Sequence, residues 1–356
     1  MERVDRRTLN RTLLARQWLY PRVDATALEA IHHLVGLQAQ DPKAPYAGLW
    51  SRLTSFAPDD LSRLLLERDA VRIVTMRSTV HLHSAADALP VRRWTQAVTE
   101  NGLRTSRKQF WPLVDRAELI AEVRRLLHDA PVHGAGLGEA LVPRWPEVPA
   151  AELQQFARAF LPLVQVPPRG VWGQSGRTTY AVAEEWLGGE GMPVDPEALI
   201  ARHLAAYGPA SVRDVQAWSG LTRLSEVTTG MDLRRYLDDD GVELLDVDLP
   251  LVDPDTVVPP VFIAPFDNVT LSHADRRRII EGEARRAIAS KNGIIPGMVL
   301  VDGLVAATWR VEGATLQVTP FGRISKRTAA TFTRPGRQLL KFLTGGPGDV
   351  VVTSAD

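Results

Sequence analysis

The stretch AYGPASVRDVQAWSGL, residues 206–221, has the pattern of a helix-turn-helix. Ser211 is a favourable N-cap for a helix over 212–218, because its hydroxyl can accept a hydrogen bond from a free backbone N–H of the first turn. Ser219-Gly220-Leu221 then supplies a tight turn that contains a glycine. Two helices joined by such a turn are the signature of this motif.

The flanking sequence extends the motif to a predicted winged-helix unit over 191–256. A preceding helix begins at Asp195, with a proline at its first helical position, and reaches Tyr207. After the turn, a further helix is predicted to run to Leu237, and the apolar strand 242–247 supplies the wing. Helix-turn-helix spacing alone seldom distinguishes contact with DNA from packing or assembly.

The same order of elements is predicted twice upstream, in residues 1–90 and 91–190. In the first of these units, apolar spacing predicts helices over 6–19, 24–37, 46–56 and 58–68, followed by strands 71–76 and 79–83. In the second, it predicts helices over 115–127, 132–141 and 150–163, followed by strands 170–173 and 178–183. Three such units in tandem are a natural way to line one long basic surface for DNA.

Residues 257–356 have a different pattern. A strand over 261–267 is followed by a predicted basic helix, whose arginines are Arg276, Arg277, Arg278, Arg285 and Arg286. Apolar residues alternate over 298–309 around Asp302-Gly303, a pair favoured in type I′ turns, and so predict a β-hairpin. A last helix is predicted over 334–343. The expected fold class is therefore helix-rich α+β, with three tandem winged-helix units and a C-terminal β-rich segment.

The composition excludes several classes of protein. The chain has 356 residues, of which 45% are hydrophobic and 24% charged, as in an ordinary globular protein of two or three modules. No apolar run approaches the roughly 20 residues that cross a bilayer, and residues 1–14 lack the apolar stretch of a signal peptide. The absence of cysteine excludes disulfides and thiolate metal sites. We expect a cytoplasmic protein that does not bind a membrane.

The charges are balanced in number but uneven in position. Basic and acidic residues number 42 each, which mildly disfavours nucleic acid as a partner, because DNA affinity comes largely from neutralised phosphates. However, residues 1–22 and 323–341 are basic, whereas 232–255 are acidic. This distribution gives a polarised surface if the two ends fold together, and ordinary solvated helix faces are an equally good interpretation of each patch.

The usual catalytic motifs are missing from the sequence. It contains no glycine-rich phosphate loop, no His-Glu-x-x-His motif and no serine elbow. His81 and His83 alternate on one predicted strand and could share a face, but no third ligand lies nearby in the sequence. We therefore predict no metal site and interpret the two histidines as polar residues on a strand surface.

The stretch LQAQDP, residues 37–42, is more unusual. It sets two amides, Gln38 and Gln40, and the carboxylate of Asp41 at the end of an otherwise apolar predicted helix. Judged from composition alone, such amides satisfy free backbone groups at a helix end. Asp41 is either a cap for the next turn or a helper in the chemistry of the glutamines.

Several stretches, in chain order, resemble the AlkZ-like DNA glycosylases, a bacterial superfamily of winged-helix proteins. Gln38-Ala39-Gln40, within GLQAQDPKAPYAGLWSRL (36–53), is similar to the Gln-aliphatic-Gln catalytic motif of that family. The other similar stretches are RSTVHLHSAAD (77–87), for its Arg-x-Thr-x-His strand, residues 206–221, for its third helix-turn-helix, 262–278, for its Pro-x-Phe-Asp segment and arginine cluster, and VLVDGLVAATWR (299–310), for its C-terminal hairpin.

The resemblance implies a C-shaped scaffold of three tandem winged helices around a basic concave channel. The implied activity is the excision of N7-alkylated purines from double-stranded DNA, including bulky adducts and interstrand crosslinks, by a monomer that needs no cofactor. Gln38 and Gln40 would position the water that hydrolyses the N-glycosidic bond. The alternative is a non-catalytic winged-helix DNA-binding protein or transcriptional regulator, which would bind a specific sequence and release no base.

The same resemblance suggests which residues contact DNA. Arg276, Arg277 and Arg278 are expected to bind phosphates. The hairpin tip, Asp302-Gly303-Leu304, is expected to probe the groove beside a bulky lesion. A shallow channel with such a probe would suit an adduct that is too large to be flipped into a deep pocket.

Overall fold

The structure, a computed structural model, describes residues 1–288 and 293–353. Helices make up 43% and strands 17% of the chain, which confirms the helix-rich α+β class. Within the described residues, no helix is long and apolar enough to cross a membrane. The undescribed residues, 289–292 and 354–356, both fall in the predicted C-terminal segment 257–356.

Local capping explains where many helices begin. The side chains of Asp5, Thr26, Asp115, Asp195 and Ser211 each accept a hydrogen bond from a backbone N–H of the first helical turn. In chain order, the helices are α1 (Arg6–Arg16), α2 (Ala27–His33), α3 (Ala44–Trp50), α4 (Pro58–Glu67), α5 (Ala85–Trp94), α6 (Gln96–Ser106), α7 (Arg116–Leu127), α8 (Gly134–Leu141), α9 (Ala150–Phe160), α10 (Ala183–Leu187), α11 (Pro196–Tyr207), α12 (Val212–Ser219), α13 (Ser225–Thr228), α14 (Gly282–Ala287), α15 (Lys326–Thr331) and α16 (Thr333–Thr344).

The strands of the described residues form three sheets. They are β1 (Glu2–Arg3), β2 (Leu37–Gln38), β3 (Ala70–Val74), β4 (Val80–Ser84), β5 (Val132–His133), β6 (Leu163–Gln165), β7 (Thr179–Val182), β8 (Arg234–Leu237), β9 (Glu243–Asp246), β10 (Val261–Ile263), β11 (Gly297–Val301), β12 (Leu304–Glu312), β13 (Thr315–Pro320) and β14 (Asp349–Val352). The sheet orders are β1-β8-β9, β2-β4-β3-β6-β7-β5 and β10-β11-β12-β13-β14.

The six-stranded sheet joins the first two predicted units. β3 pairs with β4 on one side and with β6 on the other, so that strands from residues 37–84 and 132–182 form one continuous ladder. The expected division at residue 90 therefore falls between strands of a single sheet. β2, which contains Gln38, is the edge strand at one end of this sheet.

Several predicted elements are wrong. Residues 170–173, predicted to form a strand, form a turn. The strand that precedes this turn is β6, which begins at Leu163, the predicted end of the helix 150–163. The helix expected to reach Leu237 is only the short α13, and β8 follows it. Helix α14 begins only at Gly282, so the predicted basic helix does not include Arg276–Arg278, which lie in the preceding turn.

Helix α1 connects the beginning of the chain to its second half. Its buried Arg16 donates to both carboxylate oxygens of Asp246, at 2.5 and 2.9 Å. Asn10, also buried, donates from Nδ2 to the carbonyls of Arg278 and Gly303, at 2.6 and 2.9 Å. Leu13 packs in the same core as Ile279 and Val305. The first helix is therefore a central part of the C-terminal core.

The C-terminal hairpin has the predicted turn. Asp302 and Gly303 form a two-residue connection between β11 and β12, with φ of 47° and 81°. Positive φ at both central residues is the requirement of a type I′ turn. The prediction from the Asp-Gly pair is confirmed.

Candidate active site

Gln38 lies on a short strand and Gln40 in the bend that follows it, and neither lies at a helix end, which corrects the sequence-based expectation. Helix α2 ends at His33, and the chain then turns through Gly36, whose φ is +96°. A Cβ at this glycine would collide with the ring of His83. Directly after the turn, Gln38 enters β2, opposite His81 of β4. Edge pairing with β4, and not helix capping, sets the position of the motif.

The backbone between the glutamines is held from two sides. Ala39 N donates to the carbonyl of Val80 at 2.7 Å, which continues the pairing beyond β2. Arg72, from β3, donates from Nη2 to the carbonyl of Ala39 at 3.0 Å. These two contacts fix the backbone that separates Gln38 from Gln40.

Gln38 is buried and anchored by an arginine. It is 8% exposed, and its Oε1 accepts a hydrogen bond from Nη2 of Arg77 at 2.9 Å. Arg77 also donates to Oδ1 of Asn268 at 2.8 Å and to the carbonyl of Trp218 at 2.6 Å. Because guanidinium groups only donate, these contacts identify the oxygen of each amide. The amino group of Gln38 therefore points away from Arg77.

Gln40 is exposed and is oriented in a similar way. Its Oε1 accepts from the backbone N–H of Val80 at 3.3 Å, which leaves its amino group to face solvent. Asp41 accepts from the backbone N–H of Lys43 at 2.9 Å and so closes the turn that precedes α3. This hydrogen bond supports the alternative in which Asp41 caps the turn.

A small recess lies beside Gln38, between the start of α3 and residues 264–268. Among the described residues that line it, the only carboxylate is Asp267. That carboxylate accepts two hydrogen bonds from the buried Arg52, at 2.8 and 2.9 Å. Both oxygens of this carboxylate are thus occupied by the guanidinium of Arg52. Among its described lining residues, the recess therefore has the amides of Gln38 and Asn268 and the guanidinium of Arg52. These described residues include no unpaired carboxyl group that could protonate a leaving group.

Arg77 remains charged despite its burial. Burial lowers its pKa to about 10, Tyr207 opposes this shift, and the nearby Arg276 reinforces it. At neutral pH the side chain is still a cation. The recess therefore carries fixed positive charge next to the amide of Gln38.

His81 and His83 are completely buried, so their interpretation as surface residues of a strand is wrong. Both are 0% exposed. Burial is the main cause that lowers the pKa of His83 to about 4 and that of His81 well below its usual value. Nδ1 of His81 lies 3.1 Å from the carbonyl of Thr79. In residues 1–288 and 293–353, no group of three His, Asp or Glu side chains could hold a metal ion.

The three predicted phosphate-binding arginines have different environments. Arg276 is exposed, close to Arg77. Arg277 donates to Asp275 at 2.8 Å and also binds Asp240. Arg278 is 6% exposed and donates to the carbonyl of Pro209 at 2.7 Å. Of the three, Arg276 is exposed, Arg277 is half-buried and ion-paired, and Arg278 is buried.

The hairpin tip is in contact with α1, and about half of the Asp302 side chain, 53%, is exposed. The carboxylate of Asp302 accepts from Arg7 at 2.8 Å and also binds Arg11. Gly303 lies against Asn10, and there is no room for a Cβ at this glycine. Leu304 is partly buried. The tip is docked on α1, and its contacts are those of a scaffold.

Sequence reasoning missed the residues that support the glutamines. Arg72, Arg77 and Asn268 come from strand β3, from the 3₁₀ turn 76–78 and from the 3₁₀ turn 268–270. Arg77 and Asn268 each lie in or next to stretches singled out for their resemblance to the family. However, neither their spacing nor their residue types indicated that they converge on Gln38.

Comparison with known proteins identifies similar chains over nearly the whole length. A family model described as "DNA glycosylase AlkZ-like" matches residues 31–342. The "Interstrand DNA cross-link repair glycosylase" of Streptomyces sahachiroi is 26% identical over 353 residues, which cover 86% of this chain and 88% of the relative. The solved structure of the Streptomyces sahachiroi DNA glycosylase AlkZ superposes with a TM-score of 0.80 at 20% identity, over 99% of this chain and 100% of that one.

Proposed function

The chain belongs to the AlkZ-like family of DNA glycosylases, and we propose that it excises N7-alkylated purines from double-stranded DNA by hydrolysing the N-glycosidic bond. The relative from Streptomyces sahachiroi is named for interstrand crosslink repair. This name supports an extension of the proposed substrates to bulky adducts and crosslinks. The single observation that carries the proposal is the pair of oriented amides, Gln38 at the end of the edge strand β2 and Gln40 two residues after it.

The absence of an acid from the recess fits a base that is already positively charged. An unmodified purine is a poor leaving group and requires protonation. Alkylation at N7 places a positive charge on the purine before the bond breaks, so no proton donor is needed. Asp267, the carboxylate among the described lining residues, is engaged at both oxygens by Arg52. Neutral and undamaged bases would therefore be retained.

The glutamines would act on water by position and not by abstraction of a proton. A carboxamide is not a general base, but its oxygen has a second lone pair and its amino group has two donors. With one lone pair of Gln38 used by Arg77, the other lone pair and the amino group can hold a water beside the sugar. Fixing the water in this way removes much of the entropic cost of the attack.

The proposal for DNA binding combines the scaffold with local charge. We retain the C-shaped arrangement of three tandem winged helices, with segments 1–90, 91–190, 191–256 and 257–356, as part of the proposal for a monomeric protein. Arg276 is the member of the arginine cluster that we assign to phosphate contact. Arg276 is the exposed member of the cluster and also lowers the pKa of Arg77, so a phosphate bound to it would relieve the repulsion between the two guanidinium groups.

A non-catalytic regulator is less well supported. Such a protein reads DNA with the second helix of its helix-turn-helix, which lies in the major groove. In this chain, that element is α13, a helix of 4 residues. A single helical turn presents few side chains to base edges, so the helix-turn-helix at 206–221 is poorly suited to reading a DNA sequence.

The decisive experiment is an assay of base release. The purified protein is incubated with a duplex that contains one N7-methylguanine, with and without EDTA, and free base is measured by mass spectrometry. We expect release of the methylated base at the same rate in both samples and no release from an undamaged duplex. Sequence-selective binding without any free base would favour the regulator instead.

A further inference from the structure

The recess beside Gln38 has a volume of about 10 Å³. This is about the space that one water molecule requires, and it excludes any larger ligand. A water in such a space also needs roughly two to four polar partners to be held there. The polar side chains of the lining therefore determine whether the recess binds a water.

Asn268 has a polar group of the kind that such a water would satisfy. Its side chain lines the recess and is 4% exposed. Its amino nitrogen, Nδ2, is buried and has no hydrogen-bond partner among the residues that the structure describes. A buried donor without a partner is costly, and in folded proteins such donors are nearly always met by another group or by a water.

Two neighbours turn this amino group toward the recess. Arg77 donates to Oδ1 of Asn268 at 2.8 Å. Burial lowers the pKa of His81, and its contact with Asn268 opposes this shift. A contact that favours a protonated histidine is made with an acceptor, so it also involves Oδ1. In the described part of the chain, Asn268 lines the recess but Arg77 and His81 do not, so Nδ2 lies on the side of the amide that faces the recess.

The backbone around Asn268 holds this donor in place. Asp267 begins the 3₁₀ turn 268–270, because its Oδ1 accepts from the backbone N–H of Val269 at 3.1 Å. The same carboxylate is bound by Arg52 at 2.8 and 2.9 Å. Asn268 is the first residue of the turn, and both of its chain neighbours are buried. Nδ2 is therefore positioned before a ligand arrives and needs little reorganisation during the reaction.

Gln38 supplies the second partner for a water. Its side chain lines the recess, and its Oε1 accepts from the same nitrogen of Arg77 as Asn268 does. An amide oxygen has two lone pairs, so one remains to accept a hydrogen bond from a water. The recess thus combines a donor from Asn268 with an acceptor from Gln38.

We propose that Asn268 is a third catalytic amide, which holds the attacking water in this recess together with Gln38. The inference rests on the proposed function and adds a residue to it. The water accepts a hydrogen bond from Nδ2 of Asn268 and donates one to Oε1 of Gln38, which leaves one lone pair for the anomeric carbon.

The reaction then needs no further group from the protein at this position. As the water oxygen bonds to the anomeric carbon, the bond from that carbon to N9 of the purine breaks. The electron pair of the broken bond goes to N9 and neutralises the charge of the alkylated base. One proton of the water passes to solvent, and the products are the free base and an abasic site.

Asn268→Asp removes the donor and keeps the shape of the side chain. The carboxylate can still accept from Arg77, but it cannot donate to a water. We expect the single-turnover release of N7-methylguanine to slow by about tenfold or more, with little change in affinity for the duplex. The matched control is Asn101→Asp, on the exposed face of α6, because Oδ1 of Asn101 accepts from Arg104 at 3.0 Å. Equal rates in the parent and in Asn268→Asp would overturn the proposal.

Competition with methanol distinguishes a ligand of the water from a structural residue. A recess that fits one water excludes methanol, so the parent should yield only the abasic site in a buffer that contains methanol. Asn268→Ala widens the recess, and we expect it to form the methyl glycoside as well, which mass spectrometry detects. A merely structural role would lower stability and leave this partition unchanged. Methyl glycoside from the parent, in proportion to the methanol present, would contradict the proposal.

A high-resolution crystal structure of the parent gives a readout that depends neither on the variants nor on activity. We expect one ordered water in the recess, within hydrogen-bond distance of Nδ2 of Asn268 and Oε1 of Gln38. A recess without that water would overturn the proposal even if both variants failed to fold. If the parent released no methylguanine, the proposed function would fail, and the crystal structure would still decide whether Asn268 and Gln38 bind a water.

Discussion

Nη2 of Arg77 donates a hydrogen bond to Oε1 of Gln38 across 2.9 Å, and the same nitrogen donates to Oδ1 of Asn268 at 2.8 Å. One guanidinium thus fixes the orientation of two amides that come from residues 230 positions apart. Arg77 reaches both because its backbone lies in the left-handed region, with φ of 55°. The orientation of the proposed catalytic amide therefore depends on a residue outside the glutamine motif.

Arg77→Lys should slow base release without unfolding the protein. Lysine keeps the charge but cannot hold two amides with a planar fork. We expect the single-turnover rate for N7-methylguanine to fall by about tenfold or more, with a small change in affinity for DNA. Arg125→Lys, on the exposed face of α7, is the control. An unchanged rate in Arg77→Lys would mean that Gln38 is oriented without the fork.

Gln38→Ala and Gln40→Ala should each reduce the rate of excision and leave affinity nearly unchanged. Loss of one group that positions the reacting atoms typically costs about 10²–10³ in rate. Because Gln38 is 8% exposed and Gln40 is exposed, we expect only Gln38→Ala to lower the melting temperature. Rates are measured under single-turnover conditions, and melting by circular dichroism. Full activity per folded molecule in both variants would assign the amides to structure.

The hairpin tip should matter for stability and affect all substrates alike. Gly303→Ala adds a methyl group against Asn10 and Arg11, whereas Gly313→Ala adds one in open space. Both glycines have positive φ, at 81° and 58°, so the pair separates crowding from backbone strain. We expect Gly303→Ala to destabilise the protein by about 1–3 kcal/mol more than Gly313→Ala. A selective loss of bulky-adduct excision at unchanged stability would restore a lesion-probing role.

His203→Phe should stabilise the protein, increasingly so in acid. His203 is fully buried between Tyr207 and Trp218, and neither ring nitrogen has a hydrogen-bond partner among the described residues. Burial lowers its pKa well below the usual value. Below about pH 6.5, the unfolded state therefore binds a proton that the folded state excludes, and stability falls as the pH falls.

The size of this effect follows from linkage. Each such histidine contributes a slope of about 1.4 kcal/mol per pH unit below pH 6.5. Urea unfolding of the parent and of His203→Phe at pH 7.5, 6.0 and 5.0 measures it. The stability gained by the substitution should grow from the first pH to the last. A difference that stays constant with pH would show that His203 does not exclude a proton.

Arg276→Glu should weaken DNA binding and reduce its dependence on salt. Each phosphate contact contributes to the slope of log affinity against log salt by about one unit. The reversal should act similarly on unrelated sequences, because phosphates carry no sequence information. Arg125→Glu makes the same change of charge on α7. Equal losses in the two variants would indicate a general effect of net charge.

Features that depend on neighbouring residues were predictable from the sequence. The type I′ turn follows from Asp302-Gly303, since both central positions need positive φ. Ser211 caps α12 in a full capping box, and Gly220 ends that helix in the left-handed conformation, as the motif at 206–221 indicates. Helix capping and turn formation depend on residues three or four positions apart, so they can be predicted without knowledge of the tertiary structure.

Features that depend on partners distant in the sequence could not be predicted from the sequence. The apolar period of α2 continues toward Gln38 and so predicts a helix end there. In the structure, Gln38 pairs instead with His81 of β4, more than 40 residues later. Arg278 is an arginine in a basic run, the residue type that commonly binds phosphate. In the structure it is buried and donates a hydrogen bond to the carbonyl of Pro209. Periodicity and residue type give no information about such partners, which only the tertiary structure supplies.

The position of α1 has a consequence during synthesis of the protein. Asn10 and Arg16 bind Gly303 and Asp246, which are 293 and 230 residues later. At about 5–20 residues per second, the ribosome needs on the order of 15–60 s to reach residue 303. During that interval, α1 gains its native partners in stages: Leu9 packs with Tyr236 and Leu244, whereas Leu13 and Leu14 belong to a core that reaches Val305. Part of the apolar face of α1 is therefore open to chaperones until residues near 305 have been synthesised.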